Sequence, residues 1–292
     1  MTIDGTPRAS VIVRTKDKAD TVEATFAALR AQTVAVEIVV VDSGSTDATL
    51  DLARRSADRV VEIPAAAFTY GRALNMGAAA AAAPIHFALS AHCAPDRDDW
   101  VERTLRHYER PEVAATNGQL HRWDGRPLLE PVDQTPAVLR AAPGWGFSNH
   151  AASWRASVWR DMPFDEAMEA CEDKEWAARV IRAGGVVVFD PLLHVDGRHR
   201  KAAGMRALFD RTRREARALA AAGLVPEFPP GAAVREWWAD LPAESMSPAV
   251  FHRVNWLRMA DIAGRCVGDR EGRRAGGAAA RAATSRTPAE VR

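Results

Sequence analysis

The chain has 292 residues, a formal net charge of +1, 47% hydrophobic and 26% charged residues, the composition of an ordinary soluble protein long enough for a substantial core. So even a charge balance offers no case for nucleic acid or an acidic partner. The three cysteines, without a C-x-x-C pair, argue against a disulfide framework or structural zinc and suit a reducing, cytoplasmic setting, and no signal-type core or span-length apolar stretch interrupts the chain.

The run Ala9-Ser-Val-Ile-Val-Arg-Thr-Lys-Asp17 predicts a short apolar strand ending in polar groups, followed by a helix over about residues 21–32. Glu37-Ile-Val-Val-Val-Asp-Ser-Gly-Ser-Thr-Asp47 repeats the plan. Its continuous β-branched run suits a central parallel strand covered on both faces. Ser45 or Thr46 is placed to cap the next helix, which starts near Asp47. Two such βα units predict a doubly wound sheet, with Thr15, Asp17 and Asp42 gathered where the strands end. Neither loop carries G-x-G-x-x-G or a P-loop signature.

A third strand is expected at 59–63. Phe68–Gly77 then leads into an alanine-rich helix that ends before Pro84, its small side chains letting it lie close to the sheet. Ile85–Leu89 reads as a buried strand closing in Ser90-Ala-His-Cys-Ala-Pro95. A helix follows at 98–109, a strand at 113–117, a proline-rich loop region at 120–145, a helix at 173–183 and a strand at 186–189. From Lys201 the chain turns helical and basic. Beyond Gly264 arginine, alanine and glycine follow without apolar periodicity, which reads as a disordered tail.

Val41-Asp-Ser-Gly-Ser-Thr-Asp47, with the strand ending Thr15-Lys-Asp17, resembles the donor-nucleotide half of a family 2 glycosyltransferase. Asp17 stands where asparagine is more usual. The resemblance runs over about residues 8 to 215. It implies an α/β fold: a glycosyltransferase A-type domain at 8–200, with a mostly parallel central sheet flanked by helices. A helical extension at 201–263 and the tail at 264–292 follow. The implied donor is a UDP-, GDP- or dTDP-linked sugar met by Thr15, Asp17, Asp42 and Ser90. Arg72 and Asn75, three apart on one helix face, are expected to meet its base or phosphate. The acceptor is left open.

In this family the strand after the alanine-rich helix ends in Asp-x-Asp, whose second carboxylate holds Mn²⁺ or Mg²⁺ on the diphosphate. Here Ser90-Ala91-His92 takes that place. His92 is the candidate ligand, imidazole suiting Mn²⁺ better than the oxygen-seeking Mg²⁺. The alternative is a hydrogen bond from His92 to the diphosphate, or transfer without a metal. His199, ahead of His194, is a second candidate ligand, and Arg198, Arg200 and Lys201 offer another source of positive charge.

Phe164-Asp-Glu-Ala-Met-Glu-Ala-Cys-Glu-Asp-Lys-Glu-Trp-Ala-Ala-Arg179 is similar to the family's acceptor-side segment. The resemblance implies an inverting enzyme with Asp173 as general base and Glu172 orienting the acceptor or sharing the role. A helix N-terminus favours ionised carboxylates there. Trp145 is placed to stack on a sugar, while Trp176 and Arg179 read as structural. Phe147-Ser-Asn149 and Glu172-Asp-Lys-Glu-Trp176 point toward the rhamnosyltransferase-like branch. The absence of Gln-x-x-Arg-Trp favours single addition over polymerisation.

The basic helix at 201–222 suits packing on the catalytic domain or a dimer, in preference to docking on an anionic bilayer at the inner membrane face. Two rival readings stand beside the transferase. A sugar nucleotidyltransferase would need a glycine-rich amino-terminal loop, which is lacking. A non-catalytic nucleotide-sugar-binding protein is opposed by the intact Glu172-Asp173 pair.

Overall fold

Seven consecutive buried positions make the strand β2 (Val36–Asp42), and β1 (Ala9–Thr15) lies parallel beside it with Thr15 opposite Asp42. Burial on both faces is what an unbroken Val/Ile run requires, because alternation would leave one face polar. The computed structural model describes residues 7–120, 130–142, 145–197, 204–232, 235 and 248–284. These fall into two compact units: Met1–Met168 with Glu172–Arg200, and Glu169–Cys171 with Lys201–Arg292.

In the first unit, β3 (Arg59–Glu62) and β4 (Ile85–Ser90) extend the parallel set to the order β3-β2-β1-β4. The crossovers are α1 (Val22–Arg30), α2 (Thr49–Ser56) and α3 (Tyr70–Ala80). Beyond β4 the sheet becomes mixed. The strand β8 (Ala151–Arg155) pairs antiparallel with β4 and with β6 (Val113–Leu120), and β6 runs parallel to the long β9 (Val186–Asp196). The short strands β5 (Ala94–Pro95) and β7 (Val132–Gln134) both lie antiparallel to β9. Helices α4 (Trp100–His107), α5 (Pro136–Ala141), α6 (Ala156–Asp161) and α7 (Glu172–Arg182) complete the unit.

Several expectations need correction. The described part of the 120–145 region contains β7 and α5, the latter opened by Pro136 at its first turn, where a missing N–H costs nothing. The strand expected at 186–189 continues to Asp196, so His194 sits in the ladder opposite Gln119. Of the alanine run only the first three residues lie in α3, and the buried Ala78 shares the close approach to the sheet with Gly77, where a Cβ would collide with Ile12 and approach Val41.

In the second unit, α8 (Met205–Ala221) packs along α9 (Pro248–Thr284). The helix therefore continues through most of the segment read as a disordered tail. Gly264, Gly268, Gly272 and Gly276 recur every fourth residue and abut the α8 main chain at Phe209, Arg213, Arg217 and Ala221. Small residues at that spacing let two helix backbones come together, which substitutes for an apolar stripe. Arg213 braces the pair with two hydrogen bonds to Glu271, at 2.9 and 2.7 Å. No helix among the described residues is long and apolar enough to cross a membrane.

Candidate active site

The carboxyl ends of β2, β1 and β4 lie side by side, with Thr15 opposite Asp42 and Arg14 opposite Ser90. The two loops that follow β1 and β2 are laced together. Asp17, held at φ +49°, donates its N–H to Ser45 Oγ at 2.9 Å, and its Oδ1 accepts from the Thr46 N–H at 2.7 Å. The Lys18 N–H reaches Thr49 Oγ1 at 2.7 Å. Asp42 Oδ1 accepts from the N–H groups of Gly44 and Ser45, both at 2.9 Å, and its Oδ2 accepts from the Ser45 hydroxyl.

Two corrections follow. Ser45 and Thr46 do not cap α2, because their side chains are committed to Asp42 and Asp17; Asp47 Oδ1 accepts from the Thr49 N–H instead. Asp42 is only 1% exposed and is occupied by its own turn, so it shapes the loop and presents no free carboxylate. Thr15 is different. Its carbonyl accepts from Ser43, while its buried hydroxyl has no hydrogen-bond partner among the described residues.

Arg72 and Asn75 do share a face of α3, but it meets protein. Arg72 Nε donates to Glu166 at 2.8 Å and a second nitrogen donates to the Ala67 carbonyl at 2.9 Å. Asn75 is saturated. Its amide donates to the Phe164 carbonyl and Glu166, and its oxygen accepts from the Trp159 indole and the Phe164 N–H. Gly71 brings the same helix within reach, since a Cβ there would strike the Asp165 carbonyl. These residues anchor the segment leading to α7. Trp145 likewise packs on Phe189, with ring centroids 5.0 Å apart.

At the start of α7 the two acidic residues part company. Glu172 is buried, 4% exposed, and accepts from Asn149 Nδ2 at 2.8 Å, with Arg14 3.9 Å away. It therefore cannot orient an acceptor by direct contact. Asp173 stays half-buried and accepts from the Asn149 N–H at 3.2 Å and the Lys174 N–H at 2.8 Å. Sequence reasoning passed over Arg14 altogether and quoted Asn149 without a role. The available signal was an arginine closing an otherwise apolar buried strand, where a charge needs a partner.

Burial, and then the neighbouring Asp173, push the Glu172 carboxyl up to about 7, against the pull of Arg14. A raised carboxyl pKa means the folded state binds the proton more tightly. The associated stability is complete below the ordinary value of 4.5 and is lost as pH rises toward about 7. Glu172→Gln should flatten that slope. Urea denaturation is expected to show the variant gaining on the wild type by on the order of 1–3 kcal/mol between pH 5 and pH 8. An equal difference at both pH values would contradict this.

Residues 10–158 match the family model described as "Glycosyl transferase family 2", slightly more than half of the 292 residues. The chain belongs to glycosyl transferase family 2. This glycosyltransferase shares its fold with a mannosyltransferase of Pyrobaculum calidifontis, PcManGT, solved in complex with GDP-Man and Mn²⁺. The match has 20% identity and a TM-score of 0.58, and covers 97% of this chain and 77% of that one. It also matches residues 1–349 of S. aureus TarS in complex with UDP-GlcNAc. There the identity is 14% and the TM-score 0.59, with 91% of this chain and 92% of that one covered. No curated protein matches the glycosyltransferase in sequence. The family match ends before α7, so the acidic pair lies outside it.

Among the described residues no three His, Cys, Asp or Glu side chains gather to hold an ion. Ser90 ends β4 and His92 follows in the turn before β5, whose Ala94 pairs with Asp196. His199, with Arg198, Arg200 and Lys201, lies outside the described residues. The described side chains therefore do not by themselves make a protein metal site.

Proposed function

We propose that this enzyme transfers a sugar from a nucleoside-diphosphate donor to an acceptor hydroxyl with inversion, using Asp173 as general base. The acceptor oxygen attacks the anomeric carbon as its proton passes to Asp173, and the bond to the diphosphate oxygen breaks on the opposite face. A positioned carboxylate within hydrogen-bond reach suits this step. The observation that carries the assignment is the division of the acidic pair: Asp173 half-buried at the start of α7, Glu172 enclosed behind it.

The donor is assigned to the ends of β1, β2 and β4. The laced Asp17–Thr46 and Asp42–Ser45 turns give a wall there, with the buried and unpartnered Thr15 hydroxyl just beneath it. His92 is proposed to face the diphosphate. GDP-Man and UDP-GlcNAc in the two neighbours differ in base and sugar, so the donor of this chain is a question for experiment.

That experiment is a thermal-shift panel of UDP-, GDP- and dTDP-sugars, a dTDP-deoxyhexose included, followed by transfer from the donor that binds. The anomeric configuration of the product is then read by NMR. Inversion relative to the donor is the expected result. Retained configuration would sink the direct-displacement mechanism, and no shift with any donor would sink the donor assignment.

A further inference from the structure

Arg14 closes β1 with a charge in a buried place. Its side chain is 14% exposed, with Nη1 3.9 Å from Glu172 Oε1. Nη2 donates to the Asn149 carbonyl at 3.4 Å, and the guanidinium lies 5.5 Å from the centre of the Tyr70 ring. Nε is buried without a hydrogen-bond partner among the described residues. A guanidinium has five N–H groups to satisfy, and this one meets a carboxylate, a carbonyl and a ring face. Such incomplete pairing is a poor way to stabilise a fold, because a buried charge is costly unless well matched.

The same cation is well placed for a different task. Glu172 and Asp173 are consecutive at the start of α7, so what holds the Glu172 side chain also sets where Asp173 is presented. Arg14 is on the Glu172 side. Asn149 ties the group together: its side-chain amide donates to Glu172, its N–H donates to Asp173, and its carbonyl accepts from Arg14. Arg14, Asn149 and Glu172 thus form a bracket behind the accessible carboxylate, reaching from the donor-side strand to the helix that carries the base.

We infer that Arg14 is a positioning residue for the transfer step. Through Glu172 and Asn149 it holds the Asp173 carboxylate fixed toward the acceptor. This rests on Asp173 being the base. The chemical step should therefore suffer when Arg14 loses its charge, while donor affinity is preserved.

The test compares Arg14→Met and Arg14→Lys in the full chain, with kcat and donor KM measured separately. Arg14→Met is expected to lower kcat by about tenfold or more with donor KM changed less than about threefold, and Arg14→Lys to recover most of the loss. In a Glu172→Gln background, Arg14→Met should cost much less, because the partner it acts through is gone. A raised donor KM at normal kcat would overturn the inference and make Arg14 a donor-binding group. Fully additive losses would overturn it too.

Should Arg14→Met fail to fold, the Lys variant and the Arg14→Met/Glu172→Gln pair, which buries no unmatched charge, carry the same comparison. Asp173→Asn separates the two levels. Normal turnover in that variant removes the base assignment. An inactive Asp173→Asn beside a fully active Arg14→Met removes the role of Arg14 alone.

Discussion

Replacing Asp173 with asparagine should lower turnover by about 10²–10⁴-fold, the usual contribution of a positioned base, and leave donor affinity within about twofold. The asparagine keeps an oxygen for the Lys174 N–H that Asp173 Oδ1 now accepts at 2.8 Å. The start of α7 is therefore retained while the proton acceptor is lost. Glu172→Gln is the paired control. Its side chain is enclosed and can still accept from Asn149, so it should lose much less turnover. Steady-state kinetics with donor titration reads both. If Glu172→Gln were inactive and Asp173→Asn active, the two roles would be exchanged.

The second large effect is on stability. Asn75→Ala removes four hydrogen bonds at once: two to the Phe164 main chain, one to Glu166 and one to the Trp159 indole. A typical hydrogen bond contributes about 1 kcal/mol net, and more when a buried partner is left unsatisfied. The unfolding free energy should fall by about 2–4 kcal/mol. Equilibrium urea denaturation measures it, and a loss below about 0.5 kcal/mol would show that water replaces the amide without penalty. Asn75→Asp should be no better, because it sets a second carboxylate beside Glu166.

How much of this was legible varied along the chain. The parallel half was readable because each strand is a short β-branched run punctuated by a helix, and periodicity reports that directly. The turn residues of Val41-Asp-Ser-Gly-Ser-Thr-Asp47 marked the crevice, but not the inward folding of Asp42 onto its own loop. A carboxylate followed by Gly and Ser satisfies nearby N–H groups before it reaches a ligand. Arg72 and Asn75 were found as a pair, yet their partner lies some ninety residues away at Glu166, and spacing on one helix says nothing about what faces it. The antiparallel strand β8 was hidden because Ala151–Arg155 is too short to show alternation. Arg14 escaped notice because it was counted as part of the strand, when its charge was the unusual observation.

The glycine ladder of α9 has a consequence for folding. Each glycine weakens a helix interior by about 1 kcal/mol relative to alanine, so four of them burden this one by about 4 kcal/mol. The alanines and arginines of the same stretch offset part of that burden. The α8 main chain, lying against Gly264, Gly268, Gly272 and Gly276, supplies further support. Docking and helix formation are then coupled, and cleavage by trypsin at the many arginines of this helix pair becomes a gauge of it. Bulk introduced at a single rung, such as Gly268, would expose the whole stretch to the protease together.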